Sequence, residues 1–226
     1  MSGSAALAQA AARILAAYLL GSLVGSLLLA RLTGRMDIRT LGSGNAGGTN
    51  ALRTQGKAFA FCVVLIDVLK GYLAARWVPL LAPGGASLAA TGSAGAQESW
   101  LPAACALAVI VGHVWPLWYG FRGGKGVATL VGALAGLAPQ LLAPLLATWL
   151  IMVMAAGFVG LASMTAAAAL PFAVALGHSE PRAPLTAFSC VVALLVVYTH
   201  RGNLARMRAG SEPHANRLWL LGRYFR

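Results

Sequence analysis

Residues 126–179 read GVATLVGALAGLAPQLLAPLLATWLIMVMAAGFVGLASMTAAAALPFAVALGHS, 54 consecutive positions without one Asp, Glu, Lys or Arg. As a single helix the run would be about 80 Å long at 1.5 Å per residue, far beyond a hydrocarbon core of about 30 Å. It must fold back on itself, and its flanks decide how often. Cytoplasmic loops carry the excess of Lys and Arg. Three basic segments, 31–57, 122–125 and the tail after His200, hold most of the 17 positive charges. By contrast, 83–99 carries only Glu98, and 179–184 carries one acid and one Arg. The basic segments therefore share the cytoplasmic side. The path from Arg122 to the tail then crosses an even number of times, and the apolar run 185–198 is one crossing. The uncharged run must supply an odd number. Since one is excluded by length, three crossings are expected, broken near 139–144, near 160–163 and at His178.

Working outward, the apolar runs 14–32, 58–81 and 101–118 add three spans. The expected fold is an all-α polytopic membrane protein with seven transmembrane helices, the N-terminus outside and the C-terminus cytoplasmic. No linker, repeat or low-complexity segment divides it, so 1–226 reads as a single domain. The first run is not a cleaved signal: Gly21, Ser22, Gly25 and Ser26 interrupt it, and no cleavage site follows. Their four-residue spacing instead marks a close-packing helix face. Composition agrees. The chain is 59% hydrophobic and 10% charged, against roughly 25% charged in soluble domains. A water-soluble globule, a disordered tail and a disulfide scaffold are excluded. The net charge of +12 punctuates apolar runs rather than forming a basic face, so no nucleic-acid partner is expected. Cys62, Cys105 and Cys190 lie in apolar stretches and read as small hydrophobes.

Three cytoplasmic segments look unlike plain loops. The first is Gly42-Ser43-Gly44-Asn45-Ala46-Gly47-Gly48-Thr49-Asn50, followed by Arg53. Closely spaced glycines turn backbone N–H groups inward as an anion nest, and the polar side chains and Arg53 add donors and charge. The stretch also fits G-x-G-x-x-G with Asp67 twenty residues on. However, an apolar helix precedes it where a dinucleotide fingerprint needs a strand. The second is Gly112-His113-Val114-Trp115-Pro116, leading to Gly123-Gly124-Lys125-Gly126. It is no Walker A loop, because Tyr119 and Gly126 stand where Gly and Ser or Thr belong. A Lys among glycines at the start of an apolar helix still suits a phosphate. The third is His200-Arg201-Gly202-Asn203 with Arg206, Gly210 and Glu212. Helical spacing puts His200, Asn203 and Arg206 on one face. The plainer readings are a flexible turn, positive-inside anchoring and a basic tail on anionic lipid, respectively. Asp67 and Lys70, at i and i+3 inside a span, are expected to pair. Ser163 falls where two spans should meet. The four histidines have no zinc-like spacing, and no metal site is expected.

These residues resemble the bacterial acyl-phosphate:glycerol-3-phosphate acyltransferase family. Leu41 to Asn50 is similar to its first motif, Gly112 to Thr129 to its second, and His200 to Glu212 to its third; Asp67-x-x-Lys70-Gly71 also fits. Gly48 and Val24 depart from the family's usual Ala and Pro, which leaves the bend of the first helix open. The resemblance implies an enzyme in the bacterial inner membrane with its active site facing the cytoplasm. It would transfer a fatty acyl group from acyl phosphate to the primary hydroxyl of glycerol 3-phosphate. Lysophosphatidic acid and phosphate would result, in the first acylation step of phospholipid biosynthesis, with no cofactor. It also implies a soluble acyl-phosphate-forming enzyme as supplier. On this reading Ser43, Lys125 and His200 are the catalytic residues. Gly42, Gly44, Asn45, Thr49, Asn50, Arg53, His113, Gly123, Gly124, Gly126, Ser163 and Asn203 bind substrate, His113 by orienting the second motif. The proton acceptor is either the acyl phosphate's own oxygen or His200. An alternative from another class is a carrier for a phosphorylated solute, which would need an ionisable path through the bilayer midplane. Acyl-chain preference and oligomeric state stay open, as does the role of Gly132-x-x-x-Gly136, a dimer face or an internal contact.

Overall fold

A computed structural model describes residues 3–81, 96–177, 179–216 and 218–220. The expectations placed on His178, on 82–95 and on Arg217, Arg223 and Arg226 lie outside these described residues. Among the described residues all regular structure is helical. The chain divides into two compact units, Met1–Leu137 and Ala138–Arg226.

The first unit contains α1 (Gly3–Gly21), α2 (Gly25–Leu32), α3 (Gly48–Gln55), α4 (Lys57–Arg76), α5 (Ala96–Val114) and α6 (Val127–Leu137). Here α4 packs along α6, and α1 along α5. Small residues make these approaches possible. A Cβ added at Gly132 would strike the Val68 carbonyl, and one at Gly71 the Thr129 carbonyl. Gly132 and Gly136 both face α4, so this spacing forms an internal helix contact. Likewise Gly112 lies against the Tyr18 carbonyl and Gly21 against that of Val109. Without a hydrophobic drive between lipid-bathed helices, such close backbone packing is what holds them together.

The run 14–32 is not the continuous span expected from its hydropathy. It breaks at 22–24, between α1 and α2. The break strands the carbonyls of Gly21 and Leu23, which lack helical donors. Lys70 of α4 supplies them, with its Nζ 2.9 Å from each oxygen. Asp67 accepts from the Gly25 N–H at 3.1 Å, where α2 begins. Hydropathy cannot register a break whose orphaned groups are satisfied by another helix.

The second unit contains α7 (Leu142–Ala156), α8 (Val159–Leu176), α9 (Arg182–Thr199) and α10 (Arg201–Arg208). α8 packs on both α7 and α9, and α10 lies on α8 and α9. The uncharged run therefore does hold three helices, α6, α7 and α8. Its first break is at 138–141, beside the expected prolines. The second is at 157–158 rather than 160–163. Gly157, at φ +77°, ends α7 in the left-handed conformation that a Cβ disfavours. Gly160 and Ser163 consequently lie inside α8. Residues 214–216 and 218–220 clasp this corner. Ala215 N–H donates to the Gly157 carbonyl at 2.7 Å, and Trp219 Nε1 donates to that of Ala155 at 3.2 Å. His214 lies between Phe158 and Trp219, with ring centroids 4.3 and 4.2 Å away.

Among the described residues, six helical segments are long and apolar enough to cross a membrane: Gly3–Gly21, Lys57–Leu80, Trp100–Tyr119, Pro139–Ala156, Val159–Leu176 and Arg182–Thr199. α6 is apolar but shorter, at 11 residues. Large apolar side chains on these segments point outward, as lipid-facing surfaces do: Phe61, Phe172 and Leu194 are each about two-thirds exposed or more.

Candidate active site

In the first unit, the glycine-rich segment at 41–47 is shaped by one side chain. Asn50, on α3 and buried, gives its Nδ2 hydrogens to the carbonyls of Ile38, Leu41 and Asn45 at 2.9–3.0 Å. Its Oδ1 accepts from Ser43 N–H at 3.0 Å. Asn50 is thus the hub of the loop, and its amide is used up within it. Gly42 sits at φ +56°, and a Cβ there would run into the Asn50 carboxamide. Asn45 Oδ1 accepts from Gly47 N–H at 2.8 Å, just before α3 begins. Ser43, Gly44 and Thr49 are exposed, and Thr49 and Arg53 are one turn apart on the open face of α3.

The second segment folds back on the end of α5. Gly123 N–H donates to the Val114 carbonyl at 3.0 Å, and Gly124 N–H to that of His113 at 3.1 Å. A Cβ at Gly124 would collide with the His113 ring. His113 is buried, and its Nδ1 lies 2.9 Å from Lys70 Nζ and 3.3 Å from Asp67 Oδ1. Lys70 and Asp67 are themselves 2.9 Å apart. The expected pair is therefore present and has a third member, which connects the bend of α1–α2 to the loop 123–126. Lys125 is half-buried, and Gly126, at φ +86°, leads into α6. Trp118 and Phe121, both about half exposed beside this loop, are residues typical of a membrane–water interface.

Several residues that hold these loops carried no recognisable signal in the sequence. Tyr18 Oη donates to the Trp115 carbonyl at 2.8 Å. Ser22 Oγ accepts from Leu117 N–H at 3.2 Å, and Ser26 Oγ donates to the Ala46 carbonyl at 2.6 Å. The two serines noted as small packing residues therefore each hold one loop. Arg39 pairs with Asp37 at 2.6 Å and also donates to the carbonyls of Tyr119 and Arg122. Hydrogen bonding to Arg39 holds the Asp37 carboxyl below the usual carboxylate range.

In the second unit, His200 ends α9 and is buried. Its Nδ1 lies 2.8 Å from the Val196 carbonyl. A carbonyl only accepts, so Nδ1 carries a hydrogen, and in the neutral ring Nε2 is the basic nitrogen. Asn203 donates Nδ2–H to Glu212 Oε1 at 2.7 Å, and Arg206 donates Nε–H to Oε2 at 2.7 Å. The shared face of Asn203 and Arg206 is real, and buried Glu212 ties it together. Gly160 lies against Asn203, leaving no room for a Cβ. Ser163, one turn further along α8, donates to the Val159 carbonyl and accepts from Trp149 Nε1 at 3.3 Å. Among the described residues, no cluster of His, Cys, Asp or Glu could hold a metal.

The chain is similar to known proteins over most of its length. The sequence model described as glycerol-3-phosphate acyltransferase matches residues 11–210. The chain is 42% identical to a glycerol-3-phosphate acyltransferase of Geotalea daltonii, over 88% of this chain and 94% of the relative. It is 43% identical to one of Pseudomonas savastanoi pv. phaseolicola, with the same shares covered. Among solved structures it is similar to PlsY (YgiH), an integral membrane glycerol 3-phosphate acyltransferase. To the glycerol 3-phosphate form the TM-score is 0.75 at 33% identity, covering 91% of this chain and 94% of the other. To the lysophosphatidic acid form the TM-score is 0.74 at 32% identity, with the same coverage.

Proposed function

The chain belongs to the glycerol-3-phosphate acyltransferase family, and on that premise we propose that it acylates glycerol 3-phosphate using acyl phosphate as donor. It is a multi-pass membrane acyltransferase of phospholipid synthesis. The finer reading is that all 226 residues act as one domain in the bacterial inner membrane. Seven helices cross, α6 among them, with the N-terminus outside and the chemistry at the cytoplasmic face. The product, lysophosphatidic acid, is the first acylated intermediate of the pathway, and a soluble enzyme supplies the acyl phosphate.

One observation carries the reading: Arg39 ties the segment preceding Gly42 to the one preceding Gly123, so two glycine-rich loops lie side by side in one unit. Both substrates and one product are phosphorylated, and amide-rich loops with Lys125 and Arg53 suit three such anions. The roles follow. Ser43, Asn45 and the loops containing Gly42, Gly44, Gly123, Gly124 and Gly126 hold the acyl phosphate; Gly44, Gly123 and Gly124 serve by shaping those loops, since their N–H groups donate to the carbonyls of Leu41, Val114 and His113. Arg53, Lys125, His200 and Asn203 hold glycerol 3-phosphate, with Thr49 and Ser163 assisting. Asn50 shapes the first loop, and His113 seats the second. The primary hydroxyl oxygen attacks the acyl carbonyl carbon. Its bond to that carbon forms as the carbon–oxygen bond to phosphate breaks. The hydroxyl proton passes to the leaving phosphate or to His200 Nε2. Positioning and charge neutralisation suffice, because the leaving group is already activated.

The test supplies palmitoyl phosphate and glycerol 3-phosphate to purified protein and follows phosphate release. Release that needs both substrates, yields lysophosphatidic acid and falls at least tenfold in Lys125→Ala supports the reading. Protein that binds glycerol 3-phosphate without turnover sinks it. Asp67 and Lys70, on which a carrier would depend, are buried against each other and the α1–α2 backbone.

A further inference from the structure

The Arg39 side chain is about four-fifths buried, and its guanidinium contacts three residues. Nε faces both oxygens of Asp37 at 2.9–3.0 Å, and Nη2 reaches Oδ2 at 2.6 Å. Asp37 also accepts from Arg39's own N–H at 2.9 Å, which makes residues 37–40 a rigid turn. The remaining nitrogen, Nη1, crosses to the second loop and donates to the carbonyls of Tyr119 and Arg122, at 3.0 and 2.9 Å. Between those carbonyls lie Gly120 and Phe121, at φ +64° and +58°. Phe121 is the one non-glycine residue with positive φ among the described residues. A bulky side chain does not hold that conformation by local preference. It needs an outside tie, and the two carbonyls brought together by this turn are the ones Arg39 holds. Immediately after it come Gly123, Gly124 and Lys125.

We infer that Arg39, backed by Asp37, is a positioning residue for phosphate binding. It pre-sets the 119–122 turn, and with it the place beside the 41–47 loop from which Gly123, Gly124 and Lys125 start. The inference rests on the acyltransferase reading for its substrate, although the tie itself is structural. Only an arginine can do this. Its planar fork addresses a carboxylate along one edge and carbonyls along another, whereas the point charge of a lysine reaches one or the other. Arg39 touches loop backbone rather than reacting atoms. Losing it therefore weakens binding of ground state and transition state alike, which raises KM and leaves kcat nearly unchanged.

The experiment uses the full chain in lipid nanodiscs and compares wild type, Arg39→Lys, Arg39→Gln and Asp37→Asn. Two readouts are taken: KM and kcat for palmitoyl phosphate at saturating glycerol 3-phosphate, and hydrogen exchange of amides 117–126. The expected result is a rise in KM of at least tenfold for both Arg39 variants, with kcat within threefold. Exchange across 119–125 should speed up at least tenfold while α5 and α6 stay protected. Asp37→Asn should show a smaller rise in the same direction. Unchanged KM and unchanged exchange in Arg39→Lys overturn the inference. So does a loss of kcat with KM unchanged, which would place Arg39 at the reacting atoms. If Arg39→Gln does not fold, Arg39→Lys, which keeps the charge, decides alone. Absence of turnover in wild type is seen before any variant is compared and overturns the acyltransferase reading. In that case the exchange readout by itself still supports or overturns the tie.

Discussion

Asn203 donates its side-chain amide to Glu212 at 2.7 Å, and both residues are buried. The carboxylate's other oxygen takes the Arg206 Nε–H, so one acid sets the direction of two donors nine and six residues earlier. Helix α10 alone would put Asn203 and Arg206 on one face. Glu212 aims them.

Glu212→Ala should therefore impair the second unit more than loss of a surface charge does. Removing the acceptor takes one charged hydrogen bond from a buried amide and one from a half-buried guanidinium, at about 1–3 kcal/mol for each. A fall in kcat/KM for glycerol 3-phosphate of tenfold or more is expected, together with a lowered Tm. Glu212→Gln, which keeps one acceptor, should lie between. Steady-state kinetics and thermal melts in detergent check this, and equal values for Ala and Gln would contradict it.

Asp67 and Lys70 should behave as a buried pair with extra duties. Asp67→Asn leaves an ammonium without its counter-ion, which destabilises by about 3–5 kcal/mol. Replacing both, as Asp67→Asn with Lys70→Met, should restore only part of this. The carbonyls of Gly21 and Leu23 would then have no donor. A double variant that melts like wild type would show that the α1–α2 break does not need Lys70.

Gly124→Ala should sharply lower turnover. The new Cβ would overlap the His113 ring, and that ring cannot retreat without disturbing Lys70 and Asp67. Overpacking of this kind typically costs about 1–3 kcal/mol. At least a tenfold loss of activity is expected. Gly202→Ala, whose nearest neighbour is an Arg206 nitrogen at 3.7 Å, should change activity less than twofold. Assaying the two variants side by side tests the contrast.

The Asp37–Arg39 pair also predicts a pH dependence. Because the folded-state pKa of Asp37 is lowered, its stabilisation is fully present above the unfolded value of about 3.9. It is lost as pH falls through the lowered value. The Asp37 contribution to Tm should thus be full and independent of pH between about pH 5 and 8, with a decline in more acidic solution that Asp37→Asn flattens. Since Asp37 is partly exposed, the effect should be small and reduced by salt. Melts of both proteins across acidic pH check it. An acid limb identical in the two would rule out Asp37 as its source.

Much of this protein can be read from its sequence because a membrane makes hydropathy decisive. Apolar runs must be helices, and a 54-residue uncharged run must fold back, whatever the details. Clustered glycines beside Lys125, and the His200-to-Glu212 spacing, are local patterns, so the loops and the α10 face were visible. Asp67 and Lys70 could be paired because three residues of helix bring them together.

What could not be read depends on residues distant in sequence. A hydropathy profile extends one helix over 14–32, since nothing between Ser22 and Val24 says that Lys70, 46 or more residues later, will take up the freed carbonyls. Asn50 looks like a ligand donor until its carboxamide is seen wrapped by the loop that it shapes. Arg39 looks like one more inside-facing positive charge, yet it reaches across 80 residues to the turn before Gly123. The helices, the glycine-rich loops and the chemistry they suit follow from local composition and spacing, and so are legible residue by residue. Which polar groups hold the scaffold, and which are left to face a substrate, is settled only when the chain has folded. Hydrogen bonds are allotted by three-dimensional proximity, and a donor committed to a buried carbonyl is withdrawn from chemistry.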